Sequence, residues 1–175
     1  MSSARLYGRN AFARDMITLP PPMTQSRGPM DPISDDEVMK EVLKEASTIA
    51  VVGVKSGAGD DAYRVPAYMQ EQGYRIIPVN PKLSQVLNAE SYPDLAQIPQ
   101  TFYPIDIINI FRATEHLPAH VDEILALSPR PRAVWTQLGI HHGPSAQRLR
   151  EAGITVIQDR CIMVDHRRLI SEPRP

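Results

Sequence analysis

The chain has 175 residues, enough for one domain with an extension, and 42% of them are hydrophobic, which suffices for an ordinary core. A net charge of −1 gives no reason to expect nucleic-acid binding, and no apolar run reaches the roughly 18 residues that span a bilayer. A single cysteine excludes an internal disulfide and a multi-cysteine zinc site and favours a reducing compartment, so we expect a cytoplasmic protein.

The first 33 residues differ from the rest of the chain. They are rich in proline, carry scattered arginines and lack a long periodic segment, which predicts an extended or disordered arm. Arginines and serines also occur in organelle transit peptides, but Asp15 and the weak amphipathicity argue against one. An arm that packs on a partner subunit is the other interpretation.

An ordered domain is predicted over residues 34–170, followed by a tail at 171–175. Its first helix begins with a capping box, in which Ser34 caps the helix and Glu37 reaches back. Apolar strand patterns then alternate with amphipathic helix patterns. Strands are predicted at 49–54, 74–79, 105–111, 133–138 and 154–157, and helices at 34–46, 62–72, 118–127, 144–152 and 163–169.

This alternation is typical of an α/β protein. It predicts a Rossmann-like, doubly wound sheet of five parallel strands flanked by helices, with the spatial order 3-2-1-4-5. Ligands of such sheets bind beyond the carboxyl ends of the strands, so the residues that follow each strand are the candidate site.

The first strand runs into a loop that holds Val54, Lys55, Ser56 and Gly57. Glycines let backbone N–H groups approach an anion, and the following helix N-terminus adds partial positive charge. The spacing matches neither the dinucleotide fingerprint nor a P-loop. The loop is therefore either a phosphate contact or a flexible turn, and Lys55 is either a phosphate partner or a solvated charge.

The second strand ends in Asn80, Pro81 and Lys82. NAD-binding proteins usually place Asp or Glu here to hold the ribose hydroxyls. An amide and a lysine instead fit a ribose that carries a phosphate, which Lys82 would pair as a point charge. Because Asn-Pro also favours a turn, a structural role is an equal alternative.

The third and fourth strands add further side chains to the same edge. Phe111 and Arg112 either hold a base and a phosphate or serve as core and surface residues. Gln137 offers a hydrogen-bond donor and acceptor, and Gly139 permits close backbone approach.

Positive charge is concentrated at this edge of an almost neutral chain. The basic residues in these loops, or in the first turn of the following helix, are Lys55, Arg64, Lys82 and Arg112. Such a concentration indicates a polyanionic ligand. Asp60 and Asp61 in the first loop weaken that field.

No catalytic constellation is evident. The sequence lacks a Gly-x-Ser-x-Gly nucleophile elbow. His141 and His142 are too few for a metal site, which needs three or four ligands. Cys161 and His166 are a poor candidate for a nucleophile and base, since a lone cysteine is more often a small buried hydrophobe. We therefore expect no catalytic residue and no metal.

Three stretches carry a family resemblance: GYRIIPVNP at 73–81, FR at 111–112 and WTQLG at 135–139. With the apolar strands around them, they resemble the small stand-alone CoA-binding domain proteins. The fold of that family is similar to the CoA-binding domain of the succinyl-CoA synthetase α subunit. The resemblance covers roughly residues 36–168.

The resemblance implies a protein that binds CoA or acyl-CoA without catalytic residues of its own. It places residues 54–57 near the phosphates, residues 80–82 by the nucleoside end, residues 111–112 at the border of the ligand, and Gln137 and Gly139 on its floor. One departure is the first loop, which reads Gly-Asp-Asp-Ala where the family often has Pro, Arg and Ser. The loss of basic and hydroxyl groups bears on affinity and on ligand identity.

Two other functions are compatible with the sequence. Lys82 also suits the 2′-phosphate of NADP, which would make the chain an oxidoreductase-type domain, although no substrate domain is evident. The other is a regulatory module that senses CoA and contacts a partner through residues 1–33. A homodimer is also compatible, since small domains of this class often dimerise.

Overall fold

A computed structural model of the protein describes residues 35–170. The predicted arm at residues 1–33, the capping residue Ser34 and the tail at 171–175 lie outside the described residues.

Strands and helices alternate along the described chain. Strands β1 to β5 are Thr48–Val52, Arg75–Val79, Ile107–Ile110, Ala133–Thr136 and Thr155–Ile157. Helices α1 to α5 are Asp35–Glu45, Asp61–Glu71, Leu117–Ala126, Gly143–Glu151 and Ile162–Leu169. Each predicted strand and helix is present, with its ends shifted by at most two residues. Within residues 35–170, every helix falls short of the length and apolarity that a membrane span requires.

The five strands form one parallel sheet in the order β2-β1-β3-β4-β5. The predicted five-stranded parallel sheet is confirmed, but the predicted order 3-2-1-4-5 is wrong. β3 lies beside β1, where the Asp106 carboxylate accepts hydrogen bonds from the N–H groups of Ser47 and Thr48 at 2.7 and 2.9 Å. All of β3 is buried, which suits an interior strand and not an edge.

Helices cover both faces of the sheet. One face packs against α1, α2 and α5 and includes Val51 and Trp135. The other packs against α3 and α4 and includes Val52 and Ile108. Burial on both faces explains why the strands read as continuous apolar runs in the sequence.

The connection between β2 and β3 has structure that the sequence analysis did not assign. It contains an antiparallel hairpin of Gln85–Val86 with Ala89–Glu90, followed by two 3-10 turns at Leu95–Gln97 and Gln100–Phe102. The two residues of the hairpin turn have φ values of 55° and 57°, as a type I′ turn requires. Strands of two residues are too short to show an alternating pattern.

A buried carboxylate fixes α5 against the end of the sheet. Asp165 is 2% exposed and accepts hydrogen bonds from Arg160 at 2.8 and 2.6 Å and from Arg168 at 3.0 Å. The Arg160 carbonyl in turn accepts from the Trp135 indole at 2.8 Å. Burial alone would raise the pKa of Asp165, but hydrogen bonds and charge from both guanidinium groups outweigh it and hold that pKa below its usual value.

We expect Asp106→Ala to lower the free energy of unfolding by about 1–3 kcal/mol, because two backbone N–H groups lose a charged acceptor. Urea denaturation followed by circular dichroism measures the loss. Asp122→Ala is the matched control, since Asp122 pairs with Arg148 on the surface and exposed pairs contribute about 0–1 kcal/mol. Equal losses in the two variants would contradict the role given to Asp106.

Stability should also depend on pH through Asp165. Its pKa is lower in the folded chain than its ordinary value of 3.8, so its contribution is present in full above that value and is lost as the pH falls through the folded pKa. We expect Asp165→Asn to melt at a lower temperature than the natural chain at pH 7, and the difference to shrink below about pH 4. Thermal melts of both chains between pH 7 and pH 3 test this, and a difference independent of pH would refute it.

Candidate functional site

The parallel sheet brings the predicted site residues to one edge. The loops after β1, β2, β3 and β4 hold residues 54–57, 80–82, 111–112 and 137–139. The helix after β1 packs on one face of the sheet and the helix after β3 packs on the other. The switch point of the sheet, where a crevice for ligands is expected, therefore lies between β1 and β3.

At this switch point, Gly53 directly follows the last residue of β1. The backbone of Gly53 has a φ of 85°, and its N–H donates to the Val79 carbonyl at 2.9 Å. A Cβ at this position would lie 2.7 Å from Cδ of Arg112 and 2.9 Å from the carbonyl oxygen of Phe111. Because glycine has no side chain, Arg112 can lie across the end of β1.

Asn80 joins the loops that follow β1 and β2. Its Nδ2 donates to the Val54 carbonyl at 2.6 Å, and its Oδ1 accepts from the backbone N–H of Lys82 at 2.9 Å. Its own N–H donates to the Tyr92 carbonyl at 2.9 Å. The amide of Asn80 thus holds the loops together, and the exposed Lys82 is the charged group that this loop presents to solvent.

Two basic residues of this edge are paired with acidic residues of the same segment. Nζ of Lys55 lies 2.8 Å from Oδ1 of Asp60. Arg64 in the first turn of α2 is paired with Asp61. The weakening of the positive field that the sequence predicts thus comes from two ion pairs, in each of which one aspartate neutralises one cation.

The other two basic residues, Lys82 and Arg112, have no carboxylate within ion-pair distance in the part of the chain that the structure describes. Lys82 is exposed and Arg112 is half-buried. Neither side chain is held by a carboxylate at ion-pair distance, so both are available to an anionic ligand.

A buried amide pair lies beneath the loops after β3 and β4. Gln137 is 5% exposed, and its Nε2 donates to Oδ1 of Asn109 at 2.7 Å. Asn109 is absent from the predicted site, although a polar residue inside an apolar strand requires a buried partner and is a recognisable signal. Gly139 has a φ of 79°, and a Cβ there would meet no atom within 4 Å. Beside it, Leu138 is 67% exposed.

A cavity of about 200 Å³ adjoins Arg112 on the side of α3. The end of β1, the end of β2 and two prolines, Pro81 and Pro93, form its less polar walls. Its other polar members are Asp94, His120 and Glu123, with Nδ1 of His120 3.4 Å from Oε2 of Glu123. None of these three belongs to the predicted site, because Asp94 lies in the connection to which no structure was assigned and the other two lie on α3.

The sequence matches the family model for the CoA binding domain over residues 47–167. The chain belongs to the CoA-binding domain family. The matched range holds all the predicted site residues and falls inside the range of the resemblance stated from the sequence. That resemblance is confirmed.

Three relatives show how far the similarity extends. The uncharacterized protein YneT of Bacillus subtilis is 38% identical over 73% of this chain and 91% of its own length. A solved structure from Thermus thermophilus, the cell-free ID.343 protein, is 40% identical with a TM-score of 0.72, covering 78% of this chain and 100% of that one. A hypothetical protein from Pyrococcus horikoshii is 29% identical with a TM-score of 0.73, covering 82% and 99%.

Two of the histidines considered above, His142 and His166, make structural contacts in this CoA-binding domain. His142 precedes α4, and its Nδ1 accepts from the backbone N–H of Ser145 at 3.2 Å, which caps the helix. His166 is buried, with Nδ1 3.0 Å from the Tyr68 hydroxyl, where α5 packs on α2. Cys161 is the residue that precedes α5.

The contact between Gly53 and Arg112 gives a stability prediction. We expect Gly53→Ala to lower the free energy of unfolding by about 2 kcal/mol or more. The left-handed backbone disfavours a Cβ, and one of the two atoms that the Cβ would meet first is the backbone oxygen of Phe111. Gly59→Ala is the control: a Cβ there meets nothing within 4 Å, so we expect a change below about 0.5 kcal/mol. Chemical denaturation measures the free energy of unfolding of both variants. An equal loss in the two would refute the close contact between Gly53 and Arg112.

Proposed function

We propose that the protein binds CoA or an acyl-CoA at the carboxyl edge of its sheet, without catalysis of its own. The observation that carries this proposal is the pair of cations, Lys82 and Arg112, that lack carboxylate partners within residues 35–170. They follow β2 and β3, on either side of the end of β1. Membership of the CoA-binding domain family supports CoA as the anion that they bind.

The chemistry of the edge fits the parts of CoA in order. The cavity between Pro81 and Pro93 offers apolar contact for the adenine ring, and Lys82 would pair with the 3′-phosphate. Arg112 and the backbone of residues 54–57 would contact the pyrophosphate. The exposed Leu138 beside Gly139 would contact the less polar pantetheine arm.

A ligand-binding role and a cytoplasmic location are parts of the same proposal. A single cysteine in 175 residues suits a reducing compartment.

NADP is the comparison ligand of most interest, because Lys82 would suit its 2′-phosphate as well as the 3′-phosphate of CoA.

Isothermal titration of the full chain with CoA tests the proposal, with 3′-dephospho-CoA and NADP as comparison ligands. We expect CoA to bind most tightly. Lys82→Ala should weaken CoA binding about tenfold or more, because a charge-assisted contact is lost, and should leave the affinity for dephospho-CoA nearly unchanged.

Lys40→Ala is the matched control, since it removes the same charge from an exposed position inside α1, outside the loops that form the candidate site. It should leave the affinity for CoA unchanged. Tighter binding of NADP than of CoA would favour the dinucleotide alternative. Absence of CoA binding at millimolar concentration would reject the proposal.

A further inference from the structure

The loop after β1 carries a negative charge of its own at the place where a ligand phosphate is expected. Asp60 immediately precedes α2, yet its side chain makes no capping hydrogen bond to that helix. Its Oδ1 lies 2.8 Å from Nζ of Lys55. Its Oδ2 lies 3.7 Å from the position that a Cβ on Gly57 would take. The Asp60 carboxylate therefore lies against the glycine-containing loop, beside the basic residue of that loop.

This position of Asp60 is unusual for a residue at the start of a helix. An aspartate there normally accepts a hydrogen bond from the N–H groups of the first helical turn. Here the carboxylate is directed instead to the ammonium of Lys55, as a bound phosphate oxygen would be. Two anions cannot share that ammonium without repelling each other, so a phosphate on this loop must compete with Asp60.

The competition is weak enough for a ligand to overcome. The side chains of Lys55 and Asp60 are 58% and 46% exposed, and exposed ion pairs are only slightly stabilising. Asp60 is thus expected to lower the affinity of the loop for phosphate without blocking it. By contrast, neither Lys82 nor Arg112 has a carboxylate within ion-pair distance in residues 35–170.

We propose that Asp60 limits the affinity of this site, because it competes with the pyrophosphate of the ligand for Lys55. Every ligand that places a pyrophosphate on this loop then loses affinity by about the same factor. Tight binding therefore depends on further contacts, such as that of a ribose phosphate with Lys82. This inference rests on the proposed function and assigns the residue that limits its affinity.

The test is a double-mutant cycle measured by isothermal titration with CoA and 3′-dephospho-CoA. We expect Asp60→Asn to tighten CoA binding about fivefold and to tighten dephospho-CoA binding by a similar factor, because both ligands carry the pyrophosphate. Lys55→Ala should have little effect in the natural chain and should weaken binding about tenfold in the Asp60→Asn background, where its ammonium is available to the ligand.

Glu71→Gln is the matched control, because it removes an equal charge from the exposed last residue of the same helix, α2, at the end opposite to Asp60. It should change the affinity less than twofold. Asp60→Ser is a second variant that also removes the carboxylate, and thermal melts of both variants verify that they remain folded.

The outcomes separate this inference from the proposed function. If the natural chain and Asp60→Asn bind CoA equally tightly while Lys82→Ala weakens binding, the competition is refuted and the proposed function stands. An equal gain in Glu71→Gln would also refute it, since the effect would then come from net charge alone. If no chain binds CoA, both the proposed function and this inference are overturned.

Discussion

Two chain segments meet at the end of β1 in a space that a single side chain would fill. The stem of Arg112 and the carbonyl of Phe111 approach Gly53 more closely than any Cβ would allow. At the other end of the same pair of strands, Asp106 accepts two N–H groups from the start of β1. Together these contacts fix β3 against β1 at both ends, and the loops of the candidate site follow from that alignment.

The strand order also explains how the cavity is walled. Because β3 lies inside the sheet beside β1, the chain that leaves β2 at the edge must pass β1 before it enters β3. This connection places Pro93 and Asp94 against the ends of β1 and β2, next to Arg112. In the predicted order 3-2-1-4-5 the same segment would lead away from the switch point. The wall of the cavity is therefore a consequence of topology and not of a sequence motif.

The strands, the helices and the edge that holds the candidate site were predictable, because buried parallel strands read as apolar runs and the residues after them converge at one edge. The strand order was not predictable, because it depends on contacts between distant parts of the chain. The hydrogen bonds that Asp106 accepts from the backbone of Ser47 and Thr48 are an example. That Asp60 opposes the positive charge of this edge was predictable from its place in the sequence of the first loop. Its contact with Lys55 was not, because only the turn of the loop brings the two groups together.

Arg112 differs from the other arginines of residues 35–170 in its surroundings. Those at positions 64, 132, 148, 160 and 168 pair with carboxylates, those at 130 and 150 donate to backbone carbonyls, and those at 75 and 167 lie over aromatic rings. Arg112 is half-buried at the switch point and has no such partner in the described chain. Proteins depart from such local consistency mainly at functional sites. An anionic ligand would give Arg112 the partner that the fold itself gives each of the other described arginines.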